Sequence, residues 1–150
     1  MPTTMESLNS AALLPVLALI TWTLIIWIWM YATRIPAMSK AGIDPQDGQR
    51  TGKLANALPD SVAFKADNYN HLLEQPVIFY ALAFFLSLGG GHDSVNVALL
   101  WGYVVLRVVH SLIQCTVNHV VSRFLVFTLS TICLIVIVVR EILRIFLAPQ

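Results

Sequence analysis

The chain has 150 residues, of which 57% are hydrophobic and 11% charged, against about 45–50% and about 25% in an ordinary soluble domain. That balance, with a mean hydropathy of +0.75, excludes a water-soluble globule and intrinsic disorder alike and points to a single, polytopic membrane domain. A net charge of +1 gives no electrostatic footprint for nucleic acid, and Cys115 and Cys133, in or beside apolar runs, read as small buried hydrophobes rather than a disulfide framework or a metal cluster.

The first apolar run, residues 11–31, carries no charge and at 1.5 Å per residue covers roughly 30 Å, one hydrocarbon thickness. Only Glu6 precedes it, with no Lys or Arg, so the basic start of a signal peptide is missing and the run reads as a retained helix over 11–34. Trp27, Trp29 and Tyr31 near its end fit a lipid-facing interfacial belt. Pro36, Gly42, Pro45, Gly48, Gly52 and Pro59 then break any helical period, so residues 35–60 are expected to form a long loop.

Asp60 and Ser61 offer N-caps for a second helix over 61–88, polar in its first two turns and apolar from Leu72 onward. Gly89, Gly90 and Gly91 make a tight connection to a third helix over 95–117. Asn118 and His119 break the chain before a fourth over 122–146, which ends with Arg140 and Arg144 ahead of Pro149. His92 and His119 fall in the turns and read as solvated. The expected fold is all-α, an up-down four-helix membrane bundle. No internal repeat supports an inverted-repeat transporter. Arg34, Lys40, Arg50, Lys53, Lys65 and Arg123 gather at one membrane face and only Arg140 and Arg144 at the other, which puts the 35–60 loop in the cytoplasm.

Ionisable residues inside a span cost about 2.5–3.5 kcal/mol each at the helix centre, so each needs a partner or a function. Asn70, His71 and Glu74 share one face of the second helix, and Arg107, His110 and Gln114 one face of the third, all at spacings of three and four. Counted from the glycine turn, Glu74 lies roughly 21 Å deep and Arg107 roughly 18 Å. Short-linked antiparallel helices pack together, so Glu74 and Arg107 are expected to pair and fix helix register. His71, His110, Gln114, Asn118 and Arg123 add polar groups without an acid, which suits an anionic ligand. His71, Glu74 and His110 could supply metal ligands, but Arg107 opposes a cation and no metal is expected.

The stretch from Asp67 to Tyr80, DNYNHLLEQPVIFY, followed by Arg107-Val-Val-His110-Ser-Leu-Ile-Gln114, Asn118 and Arg123, resembles the bacterial branch of the MAPEG family, the membrane-associated proteins in eicosanoid and glutathione metabolism. The resemblance implies a homotrimer in the inner membrane that binds glutathione as co-substrate between protomers. It places Arg34, Asn70, His71, Glu74, His110, Gln114 and Arg123 at glutathione-contacting positions, with Arg107 opposite the helix 2 glutamate and Arg123 as the thiolate-stabilising, catalytic group. The eicosanoid synthases usually carry Arg where Asn70 stands, Asn at His71, and Tyr at Gln114 and Phe127.

The implied activity is a glutathione-dependent transferase or peroxidase whose thiolate attacks hydrophobic electrophiles from the bilayer. Two other classes stay open: a non-catalytic lipid-binding or scaffold member, in which Arg123 is dispensable, and a small proton-coupled exporter, which requires a membrane carboxylate free to titrate.

Overall fold

The computed structural model describes residues 4–46, 54, 56–91 and 93–147, with side chains in the first helix from residue 11 onward. The helices are α1 (Thr4–Ala41), α2 (Asp60–Glu74), α3 (Val77–Gly89), α4 (Ser94–Cys115) and α5 (Val120–Leu147), with no strand among the described residues. Four spans are long and apolar enough to cross a membrane, α2 and α3 being two halves of one of them. The all-helical, four-span bundle expected from hydropathy is the observed architecture.

Central to the packing is α4, which lies against α1, α2 and α5, while α1 runs along both α2 and α3. Leu19, Ile26, Leu72, Phe79, Leu100, Tyr103, Leu134 and Ile137 fill the core, where the Phe79 and Tyr103 rings stack at 4.7 Å. Outward-facing positions such as Leu17, Ile28, Ile78, Phe124 and Ile145 are also apolar, the pattern of a solvent made of lipid tails. Thr21, Thr23 and Thr33 return their hydroxyls to carbonyls four residues earlier, which satisfies them without water. Cys115 is buried and Cys133 half-buried, both free.

The first helix is longer than its apolar run, continuing through Pro36 to Ala41, where Gly42 stops it at φ 64°. A helical proline forfeits one backbone bond but holds a helix-compatible φ, so Pro36 does not force an end. The following segment also folds back: Leu54, Leu58 and Val62 pack with Ala37, Met38 and Ile43, so these parts of the expected loop are structured. Gly48, Arg50, Gly52 and Lys53 lie outside the described residues, as do His92 and Pro149. Trp27 and Tyr31 are exposed as an interfacial belt requires, but Trp29 turns inward and carries the Lys65 ammonium 5.1 Å above its ring.

Neither Asp60 nor Ser61 caps the second helix. Pro59 occupies the cap position, its carbonyl accepting from Val62 and Ala63, and Asp60 sits in the first turn, where its charge opposes the helix dipole favourably. The span breaks at Gln75 and Pro76, where proline has no N–H to give, and the Tyr103 hydroxyl donates to Gln75 Oε1. Gly90, left-handed at φ 74°, closes α3. Asp93 opens α4 by accepting from the Val95 and Asn96 amides at 2.9 Å. At the other turn Asn118 is left-handed at φ 48°, a conformation its short polar side chain tolerates. His119 is exposed there, its Nδ1 paired with Ser122 Oγ at 2.8 Å.

Candidate functional site

The polar faces of α2 and α4 meet where the two helices cross. Asn68, fully buried, donates Nδ2 to Gln114 Oε1 at 3.0 Å. One turn along α2, His71 Nδ1 receives Arg107 Nη2 at 2.7 Å. The His71 and His110 rings stack at 5.0 Å with 24° between their planes. Phe127 from α5 closes the group, 5.6 Å from the His71 ring and 5.6 Å from the Arg107 guanidinium carbon. Arg123, on the first turn of α5, is held by Asn118 Oδ1, which accepts from Nη1 at 2.8 Å.

These elements enclose a cavity of about 250 Å³ lined by His71, His110, Gln114, Val120, Arg123, Phe124 and Phe127. Four of the residues marked from the sequence, His71, His110, Gln114 and Arg123, therefore share one space. No carboxylate lines it. Arg107 is fully buried behind His71, and its Nε and Nη1, like Nδ1 of His110, have no protein partner. The environment is rich in donors and positive charge, the chemistry of an anion receptor.

Arg34 and Asn70 lie elsewhere in the chain, in a second cavity of about 280 Å³ between α1 and α2, beside Tyr31, Asp67 and Tyr69. Glu74 lines neither cavity. Nor does it pair with Arg107: among the described residues Glu74 makes no ion pair and is exposed on the outer side of α2, whereas Arg107 points inward to His71. The depth count concerned the level of the two charges and carried no information on their azimuth. Leu72 faces the core, and Glu74, two residues on, is turned about 200° away from it on a 3.6-residue helix. Among the described residues no group of three His, Cys, Asp or Glu is placed to hold a metal ion.

At the opposite end of the bundle a second polar group escaped the sequence reading. Asn96 donates Nδ2 to Gly91 O and to Glu141 Oε1, and accepts from Arg140 Nε through Oδ1. Arg140 also reaches Asp93, and Arg144 bridges Glu141 Oε2 and Gly89 O. Asn96 and Glu141 are both buried. A polar residue inside each of two apolar runs was the available signal.

The MAPEG sequence model matches residues 12–143, a range that spans all four helical crossings and both cavities. No curated protein and no solved structure matches the chain. With four membrane-crossing helices and this extent of match, the chain belongs to the MAPEG family, a group of integral membrane proteins related to glutathione metabolism.

Proposed function

We propose that the protein is a membrane-bound glutathione transferase or peroxidase that presents the glutathione thiolate to hydrophobic electrophiles arriving from the bilayer. The observation that carries this reading is the acid-free cavity in which His71, His110, Gln114 and Arg123 converge in front of buried Arg107. Among the described residues the Arg123 guanidinium bonds Asn118 through Nη1, which leaves Nε and Nη2 for a ligand anion. A cation within a few ångströms lowers a thiol pKa from about 8.5 by roughly one to three units, with the proton leaving to water. An apolar groove between α1 and α4, lined by Trp22, Trp101 and aliphatic side chains, faces lipid and suits an apolar co-substrate.

The reading includes a homotrimer in a bacterial inner membrane with the 35–60 segment cytoplasmic. Two features support assembly. Glu74 is exposed within a span beside Leu73, Val77 and Ile78, and lipid contact there would cost about 2.5–3.5 kcal/mol. Arg34 and Asn70 stand apart from the His71 cavity in one protomer, and a neighbouring copy would bring the two halves of a glutathione site together, with Glu74 available to the ligand amine.

Glutathione titration of the detergent-purified protein, followed at the thiolate absorbance band, tests the proposal. A saturable signal in the wild type that disappears in Arg123→Ala is expected. No binding at millimolar glutathione would overturn it. Gln114 and Phe127, where the eicosanoid synthases carry tyrosine, favour the lipid-binding, non-catalytic reading, in which Arg123→Ala leaves lipid binding intact. Glu74 has no arginine partner among the described residues, which favours a proton-coupled exporter as a further reading, and drug-dependent proton flux abolished by Glu74→Gln would establish it.

A further inference from the structure

We propose that His71 donates the hydrogen bond that holds the sulfur of the thiol ligand as its anion, and that Arg107 is the positioning residue that sets the His71 ring for this role. The proposal rests on the glutathione reading above and assigns the sulfur contact within it.

A guanidinium carries five N–H donors and no acceptor. Arg107 Nη2 lies 2.7 Å from His71 Nδ1, so Nδ1 supplies the lone pair and the ring hydrogen resides on Nε2. His71 lines the cavity and Arg107 does not, so the ring edge that reaches the cavity is the one away from Nδ1. Nε2 makes no hydrogen bond among the described residues and is not among the occluded polar atoms. It is an open N–H donor. The stacked His110 ring and the Phe127 ring hold the imidazole plane from two sides, and the same Arg107 contact resists a ring flip.

Other walls carry donors as well: Gln114 accepts from Asn68 through its carbonyl and keeps its amide N–H groups, and Arg123 adds a guanidinium. Of these donors the His71 N–H is the one whose position a buried arginine fixes. A sulfur anion between the Nε2–H and the Arg123 guanidinium receives one directed hydrogen bond and one cation, both of which favour the ionised form.

The test uses the full chain in detergent, labelled with 15N at histidine and assigned for His71 by comparison with His71→Gln. The expected spectrum has the unprotonated shift at Nδ1 and the protonated shift at Nε2, and Arg107→Met replaces it with a tautomer average. In parallel, His71→Phe lowers the thiolate fraction of bound glutathione at neutral pH about tenfold, and glutathione affinity at that pH falls with it by up to about tenfold, because stabilisation of the bound anion is linked to binding. His71→Gln, which keeps both an acceptor for Arg107 and a donor for the ligand, retains most of the thiolate signal. A proton found on Nδ1 overturns the proposal without using any ligand, and so remains decisive if His71→Phe does not fold. A full thiolate signal in folded His71→Phe overturns the role of His71 and leaves the glutathione reading standing. No thiolate signal in the wild type removes both.

Discussion

Asn96 Nδ2 donates to Glu141 Oε1 at 2.8 Å, joining the first turn of α4 to the last turns of α5 through two buried side chains. Around that bond the Gly89–Asp93 turn is tied to α5 by Arg140 and Arg144. Each buried polar atom of the two central residues has a partner, as a low-dielectric site demands. Replacing Glu141 with Leu would leave one of the two Asn96 amide hydrogens and Arg144 Nε without a partner, while Gly91 O and Gly89 O keep theirs. The expected cost is about 2 kcal/mol, below the value for a fully buried ion pair because Arg144 is 40% exposed. Thermal unfolding in detergent should show a Tm lower by several degrees, and an unchanged Tm would mean that the network contributes nothing net.

Gly91 lies against the same carboxylate. A Cβ built there would overlap Glu141 Oε2 and its carboxyl carbon, so Gly91→Ala should push Glu141 off Asn96 and destabilise the protein. Since the harm acts through Glu141, the double variant Gly91→Ala with Glu141→Gln should lose less than the sum of the single losses. Strict additivity of the unfolding free energies would show that the two positions act apart.

Asp93 gives the network a pH dependence. Burial raises its carboxyl pKa, but the Asn96 amide, the Arg140 guanidinium and the Val95 amide outweigh that and hold it below the ordinary carboxylate range. A group whose folded pKa is depressed contributes stability above its unfolded value, near 4, and loses it as pH falls through the lower folded value. The side chain is half exposed, so the contribution is below about 1 kcal/mol. Tm measured from pH 7 down to 3 should therefore fall more steeply in the wild type than in Asp93→Asn, which still caps α4. Parallel curves would place the acid sensitivity elsewhere.

The spans were legible because the bilayer imposes one length and one polarity on each of them, and the glycine turn because Gly90 requires a left-handed φ. Of the seven marked ligand positions, His110 and Gln114 share the cavity because a spacing of four keeps them on one face of α4, and His71 and Arg123 reach it from α2 and α5. The spacings that grouped Asn70 and Glu74 with His71 did not keep those three together. What escaped was rotation and local interruption. Pro76 divides the second span, and Glu74, just before it, turns outward while Gln75 takes the Tyr103 hydroxyl. Pattern reading assigns a depth to a residue, but the partner is chosen by the angle at which two helices settle. The Asn96–Glu141 bond joins positions 45 apart in sequence, and neither position announces the other.

The geometry makes a last, sharp statement about Glu74 and Arg107. If they formed a buried ion pair, removing one would leave an uncompensated charge, costing about 3–5 kcal/mol, and removing both would recover much of it. Within the chain Arg107 contacts His71 and Phe127, and Glu74 is exposed. The expected double-mutant cycle for Glu74→Gln and Arg107→Gln, read from unfolding free energies in detergent, is therefore additive within about 0.5 kcal/mol. Arg107→Gln alone should also perturb the His71 ring signals, while Glu74→Gln should not. A coupling above about 1 kcal/mol would mean that the two charges meet after all, through a contact that a single chain does not make.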